Sequence, residues 1–170
     1  MIDEHVKVNG ANVVVENDAG EVLMVKGSYG YWMLPGGGVE RAELPGHAAL
    51  GEALEEAGLV IERADLRLIA ILVQKVVHEK KTLPISGFVC LYHCSNFSGE
   101  LSTEKTNEIH ERRFMPLDEI FNAYEQDPQL MRRPYVKMLA YYEQIKNGLL
   151  KPVHEAILAD PVPLRPQRYI

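Results

Sequence analysis

Two strand-like runs open the chain, residues 11–15 and 21–26, and the polar segment Asn17-Asp18-Ala19-Gly20 stands between them. Apolar runs of this length bounded by Asn, Asp and Gly predict a β-hairpin. Residues 27–38, rich in glycine and aromatic side chains, predict a loop that ends in Leu34-Pro35-Gly36-Gly37-Gly38. Pro45 and Gly46 then precede a helical pattern reaching about Ala57, with Gly58 as its C-terminal stop. Apolar patterning predicts two further strands, 66–77 and 85–94, connected by the polar segment 78–82 as an exposed loop. Residues 95–106 read as a polar loop and 111–115 as a short strand. A helix starts at Pro116 and continues to about Tyr124. A last helix covers 134–146, with Val136, Leu139, Ala140 and Ile145 inward and Gly148 after its end. Strands and helices are thus mixed along the chain, an α+β pattern.

The last twenty residues change character. Pro152, Pro161, Pro163 and Pro166 are incompatible with a regular helix or a central strand. Residues 1–150 are therefore expected to form one domain and residues 151–170 an extended arm. With Val162, Leu164, Tyr169 and Ile170, that arm suits either a strap on its own domain or a contact in a homodimer.

Composition narrows the function classes. At 170 residues and 46% apolar, the chain is long and apolar enough to bury a continuous core. Lys and Arg number 18 against 24 Asp and Glu, which argues against a protein built to grip a nucleic-acid backbone. No apolar run is long enough to span a bilayer, and the charged start MIDEHVKVNG lacks the apolar segment of a signal peptide. Two cysteines do not make a disulfide framework and suit a reducing compartment, so a cytoplasmic protein without membrane partners is expected. Cys90 and Cys94 flank His93, but their spacing on a strand does not suit a shared zinc ion, and buried free thiols are the expectation.

The predicted helix ending at Ala57 carries the candidate chemistry. At 100° per residue, Glu52, Glu55 and Glu56 share one face, opposite an apolar face of Ala49, Leu50, Ala53, Leu54 and Ala57. Like charges three and four residues apart repel, and the C-terminal turns of a helix favour cations. Lys and Arg are absent between positions 42 and 62, so nothing local relieves the repulsion. A solvated glutamate face would be the bland account. Hard carboxylate oxygens gathered in this way also suit Mg²⁺ or Mn²⁺, and a bound ion would offset the repulsion. Gly36, Gly37 and Gly38, just upstream, allow close backbone approach to a phosphate-bearing ligand, and Tyr31 is a candidate stacking surface beside them.

These residues resemble the Nudix box, Gly-x5-Glu-x7-Arg-Glu-U-x-Glu-Glu-x-Gly-U, where U is a bulky aliphatic residue. The match runs through Gly37, Glu43, Glu52, Glu55, Glu56, Gly58 and Leu59, with Ala53 at the first U. The lead-in Tyr31-Trp32-Met33-Leu34-Pro35-Gly36-Gly37 and the later Phe114-Met115-Pro116-Leu117-Asp118-Glu119-Ile120 also resemble the family, so the likeness covers roughly residues 5–145. It implies an α/β/α sandwich around a central mixed sheet. It further implies a metal-dependent, MutT-like hydrolase that cleaves a pyrophosphate bond in a nucleoside diphosphate linked to another moiety. By position, Glu55 and Glu56 are expected as metal ligands, Glu52 as a further ligand or general base, and Glu56 as part of the catalytic pair with Glu52. Glu43 is a helper near the box. An acidic residue from a later loop commonly joins the set; Glu108 is preferred here over Glu111.

One position departs from the motif. Its arginine, which orients the metal-binding carboxylates in the family, is Gly51 in this chain. The departure keeps open an alternative reading as a non-catalytic ligand-binding or regulatory domain of the same fold. Sequence marks that accompany particular substrates are missing downstream of the box, so the substrate is expected only as a small nucleotide-type molecule. Lys75, Lys80, Lys81, Arg112 and Arg113 are candidate phosphate partners.

Overall fold

The computed structural model describes residues 8–78, 81–82, 87–152 and 154–163. In chain order the strands are β1 (Val8–Val15), β2 (Val22–Gly27), β3 (Trp32–Met33), β4 (Gly36–Gly38), β5 (Arg67–His78), β6 (Lys81–Thr82), β7 (Gly87–Cys94), β8 (Ile109–Met115) and β9 (His154–Pro163). The helices are α1 (Pro45–Ala57), α2 (Leu117–Gln126) and α3 (Arg133–Lys146), with a 3₁₀ turn at Arg63–Asp65.

The strands make two sheets. In the larger, mixed sheet β1 lies between β4, antiparallel, and β7, parallel, and β7 pairs antiparallel with β5. β6 folds back on the end of β5, and β9 runs parallel along the other edge of β5. The smaller sheet, β3-β2-β8, is antiparallel.

The turn predicted at residues 17–20 is present: Asn17 N–H donates to the Glu21 carbonyl (3.0 Å), and Gly20 N–H to that of Asn17 (2.9 Å). The hairpin itself is not. After one bridge, Glu16 to Val22, the two strands part, β1 into the larger sheet and β2 into the smaller. The burial pattern gives the reason. Residues 11–15 and 22–25 are buried without alternation, as strands covered on both faces must be. Two such strands each need two partners and two covered faces, which a lone hairpin does not provide.

Alternating side chains divide the interior. Val14, Val22, Met24, Leu72 and Leu91 pack with Ile120 of α2 and Met138, Leu139 and Tyr142 of α3. Ala11, Val13, Val15, Leu23 and Val25 pack with Ala48, Ala49, Ala53 and Ala57 of α1. Helices therefore cover both faces of the strands, as an α/β/α sandwich requires.

Several local expectations shift. The glycine-rich loop contains β3 and β4, and Gly36, Gly37 and Gly38 pair with Asn12, Ala11 and Gly10. The 78–82 connection brings Lys81 and Thr82 back onto β5; residues 79–80 and 83–86 lie outside the described set. The inner face of α3 is rotated from expectation: Met138, Leu139 and Tyr142 are buried, while Val136 and Ile145 pack at the margin. In α1, Leu54 is 52% exposed rather than inward, because the alanine face already fills the contact with the sheet. Within the proline-bearing segment, His154–Pro163 form strand β9, and Pro161 and Pro163 sit on an edge strand, where a missing N–H is tolerated. Residues 164–170 lie outside the described set. Cys90 and Cys94 are buried free thiols. Among the described residues, no helix is long and apolar enough to cross a membrane.

Candidate active site

Helix α1 begins at Pro45, whose fixed φ suits the first helical position, and ends at Gly58, left-handed at φ 79°. Its alanine face lets the helix axis lie close to β1 and β4. That approach sets two glutamates against the glycine strand. Gly36 N–H donates to Glu56 Oε2 at 3.0 Å. A Cβ on Gly37 would overlap the Glu52 carboxylate, and one on Gly36 would overlap Asn12 and the Ala11 carbonyl. Gly36 also has φ 153°, a backbone conformation that side-chain-bearing residues rarely adopt. Buried Asn12 completes the local frame by donating from Nδ2 to the Pro35 carbonyl at 3.4 Å.

Glu52, Glu55 and Glu56 line a cavity of about 300 Å³ together with Thr106, Asn107, Glu108 and Ile109. The loop that brings Glu108 is braced locally. Thr106 Oγ1 accepts from the N–H groups of Glu108 (3.2 Å) and Ile109 (2.9 Å), and the Glu108 carbonyl accepts from Ser28 N–H at 2.9 Å. Glu111 points elsewhere, 3.8 Å from Lys26 Nζ. The two acids differ because β8 starts at Ile109, which leaves Glu108 in the loop and puts Glu111 on the strand.

The charges in this cavity act on one another. Burial pushes the Glu56 carboxyl up to about 8; Gly36 N–H opposes the rise, Glu52 and Glu108 add to it, and Arg112 opposes it. Glu52 is also raised, first by burial and then by the charges of Glu55, Glu108 and Glu43. Glu43 itself accepts from Glu40 N–H at 2.9 Å. Among the described residues, no group of three or more His, Cys, Asp or Glu side chains is already drawn together closely enough to hold a metal ion. The donor set nevertheless fits a hard divalent ion: four carboxylates line one polar cavity, and their mutual repulsion favours any cation that enters. Such an ion would draw in Glu52, Glu55, Glu56 and Glu108 and complete its shell with water.

Tyr31 lies outside the cavity lining. It stacks with Tyr29 (6.3 Å between ring centroids) and under the Arg132 guanidinium (5.3 Å). Tyr135 lies in the same electrostatic surroundings as Glu56, Arg132 and Tyr31. Loss of water raises its hydroxyl to about 12, and the charge of Glu56 adds to the rise. Tyr135 packs against the core on the α2–α3 side, as its place on the last helix predicts. Gly36, Gly37 and Gly38 pair with β1 and none of them lines the cavity, although Gly36 and Gly37 back its glutamates. Of the basic residues expected to meet phosphate, Arg113 bonds Glu119 (2.6 Å) and lies over Trp32 (5.7 Å). Arg112 donates to two backbone carbonyls. The side chains of Lys75, Lys80 and Lys81 lie outside the described set.

Comparison with known proteins agrees with this geometry. The sequence profile of the NUDIX domain matches residues 6–137. No curated protein matches. Among solved structures, the chain resembles a MutT NUDIX hydrolase from Burkholderia pseudomallei at 24% identity and TM-score 0.61, covering 81% of this chain and 98% of that one. It also resembles a Caenorhabditis elegans (C. elegans) Ap4A hydrolase, at 20% identity, TM-score 0.57 and coverage of 83% and 98%. An ADP-ribose pyrophosphatase from Streptococcus suis is similar at 19% identity, TM-score 0.56 and coverage of 87% of this chain and 96% of that one.

Proposed function

We propose, from the premise that this chain belongs to the NUDIX domain family and is a hydrolase of that type, that it cleaves a pyrophosphate bond in a nucleoside diphosphate linked to a second moiety, using Mg²⁺ or Mn²⁺. The observation that carries this reading is the convergence of Glu52, Glu55, Glu56 and Glu108 on one polar cavity beside the glycine strand. When bound, the ion supplies neutralisation of charge developing on the phosphoryl oxygens.

The chain's own groups have separable tasks. Glu55, Glu56 and Glu108 hold the ion, and Glu52 is a further ligand or takes the proton of the attacking water. Gly36 N–H fixes one Glu56 oxygen and leaves the other for the cavity. A cavity of about 300 Å³ is small for a whole nucleotide but suits a diphosphate group. The base or second moiety then lies outside it, towards Tyr31, Tyr29 and Tyr135.

A panel assay tests the proposal: nucleoside triphosphates, nucleotide sugars, ADP-ribose, dinucleoside polyphosphates and coenzyme A, each with Mg²⁺, Mn²⁺ or chelator. Turnover that requires metal and disappears in Glu56→Gln supports the reading. Metal-independent turnover, or a Glu56→Gln variant as fast as the parent, overturns the site assignment. Silence across the panel from a folded, metal-binding protein favours the ligand-binding alternative that Gly51 suggests.

A further inference from the structure

The last carbonyls of an α-helix need partners from outside its own ladder. At the end of α1, Gly58 N–H bonds the Leu54 carbonyl and Leu59 N–H bonds that of Ala53. Val60 N–H, which would continue the ladder to Glu56, donates to Ser98 instead (2.9 Å). The Glu56 carbonyl is taken by Arg112, whose Nε donates to it at 2.5 Å. The same guanidinium donates through Nη1 to the Glu104 carbonyl at 2.6 Å. One side chain therefore ties the turn bearing Glu55 and Glu56 to the loop that continues to Glu108. Those are two walls of the acidic cavity.

Register explains how Arg112 arrives there. On β8 it lies opposite Val25 and on the same face as Phe114, and both Val25 and Phe114 pack on the α1 side of the molecule. Helix α1 has no basic residue in its last turn, and a Cβ at Gly51 would meet nothing within 4 Å.

We propose that Arg112 is the positioning residue that compensates for Gly51, holding the Glu55–Glu56 turn and the Glu108 loop at a fixed separation from outside the helix. The proposal rests on reading the cavity as a divalent-metal hydrolytic site. A guanidinium suits the task because its planar fork serves two acceptors at once, and its charge complements the C-terminal end of the helix. A lysine would supply the charge without the fork.

The test measures Mn²⁺ binding to the metal-free protein by calorimetry, without substrate, alongside kcat and KM. The proteins compared are the parent, Arg112→Gln, Arg112→Lys and Arg112→Gln combined with Gly51→Arg. Arg112→Gln should weaken Mn²⁺ binding about tenfold or more and lower kcat similarly, with little change in KM. Arg112→Lys should fall between it and the parent, and Gly51→Arg should recover part of the lost affinity. Parent-like Mn²⁺ affinity in a folded Arg112→Gln protein, with only its melting temperature lowered, would overturn the proposal. Should that variant fail to fold, parent-like affinity in Arg112→Lys decides against it equally. No recovery by Gly51→Arg would refute the compensation. A parent that binds Mn²⁺ but hydrolyses nothing would sink the hydrolase reading and leave the affinity comparison to judge Arg112. A parent that binds no Mn²⁺ would overturn both.

Discussion

Glu56 is held in an environment that favours its neutral form, and this has a consequence for stability. Its carboxyl is raised to about 8 in the fold, against an ordinary value of 4.5, so the native state binds a proton more tightly than the unfolded chain. The linked stability is present below pH 4.5 and is lost as pH rises towards 8. The metal-free protein should therefore melt several degrees lower at pH 8.5 than at pH 5.5 through this group. Glu56→Gln should flatten that dependence in a thermal melt series while abolishing turnover. Gly37 offers a second test at this scale. Its Cβ position overlaps the Glu52 carboxylate, so Gly37→Ala should displace Glu52 and lower kcat by at least tenfold while the fold is retained by circular dichroism. Unchanged kcat would mean that Glu52 moves aside without consequence.

Helix α1 acts as a unit whose distance from the strands decides where its carboxylates stand. Ala49, Ala53 and Ala57 are fully buried against β1 and its neighbours, so there is no room to spare. Ala53→Leu should lift the helix, destabilising the protein by about 1–3 kcal/mol in denaturant melts and reducing activity more than that loss explains. Much of this element was legible beforehand. Pro45, Gly58 and the glutamate face follow from local rules, since caps and helical period depend on neighbours in sequence. Leu54 was misplaced because the period gives a face but not its centre; the strands packed beneath select which part of that face is buried. Glu108 and Glu111 are told apart by a strand boundary that local rules place only loosely: β8 begins at Ile109, one residue after Glu108.

Across the whole molecule, the extended segment completes the larger sheet. β9 covers the free edge of β5 from Ala70 to Val77. Removing residues 151–170 would expose that edge, and an uncovered strand edge invites pairing with another chain. The truncated protein should melt at a lower temperature than the full chain and gain more mass with concentration in sedimentation runs. Equal melting and equal mass would show that β9 contributes little to the sheet. Metal acts at the same scale: an ion that binds only the folded state raises the melting temperature, by about 2.7 kcal/mol of stability at a hundredfold excess over Kd. Chelator should remove that gain, most visibly above pH 8, where Glu56 gives up its proton.

Local chemistry was sufficient to establish the glycine strand's freedom, the helix that follows it, its capping and the shared face of Glu52, Glu55 and Glu56. Each depends on residues within a few positions of one another, and period and backbone stereochemistry express such relations directly. The parting of β1 from β2 and the reach of Arg112 to the end of α1 depend on pairings across the chain. The Arg112 bond joins residues 56 positions apart, and no local pattern marks the acceptor it will find. An arginine on a strand looks the same in sequence whether it meets solvent, phosphate or a helix carbonyl. Which of these it meets is decided when the sheets and helices close over the interior, because only then do unpaired backbone groups come within its reach.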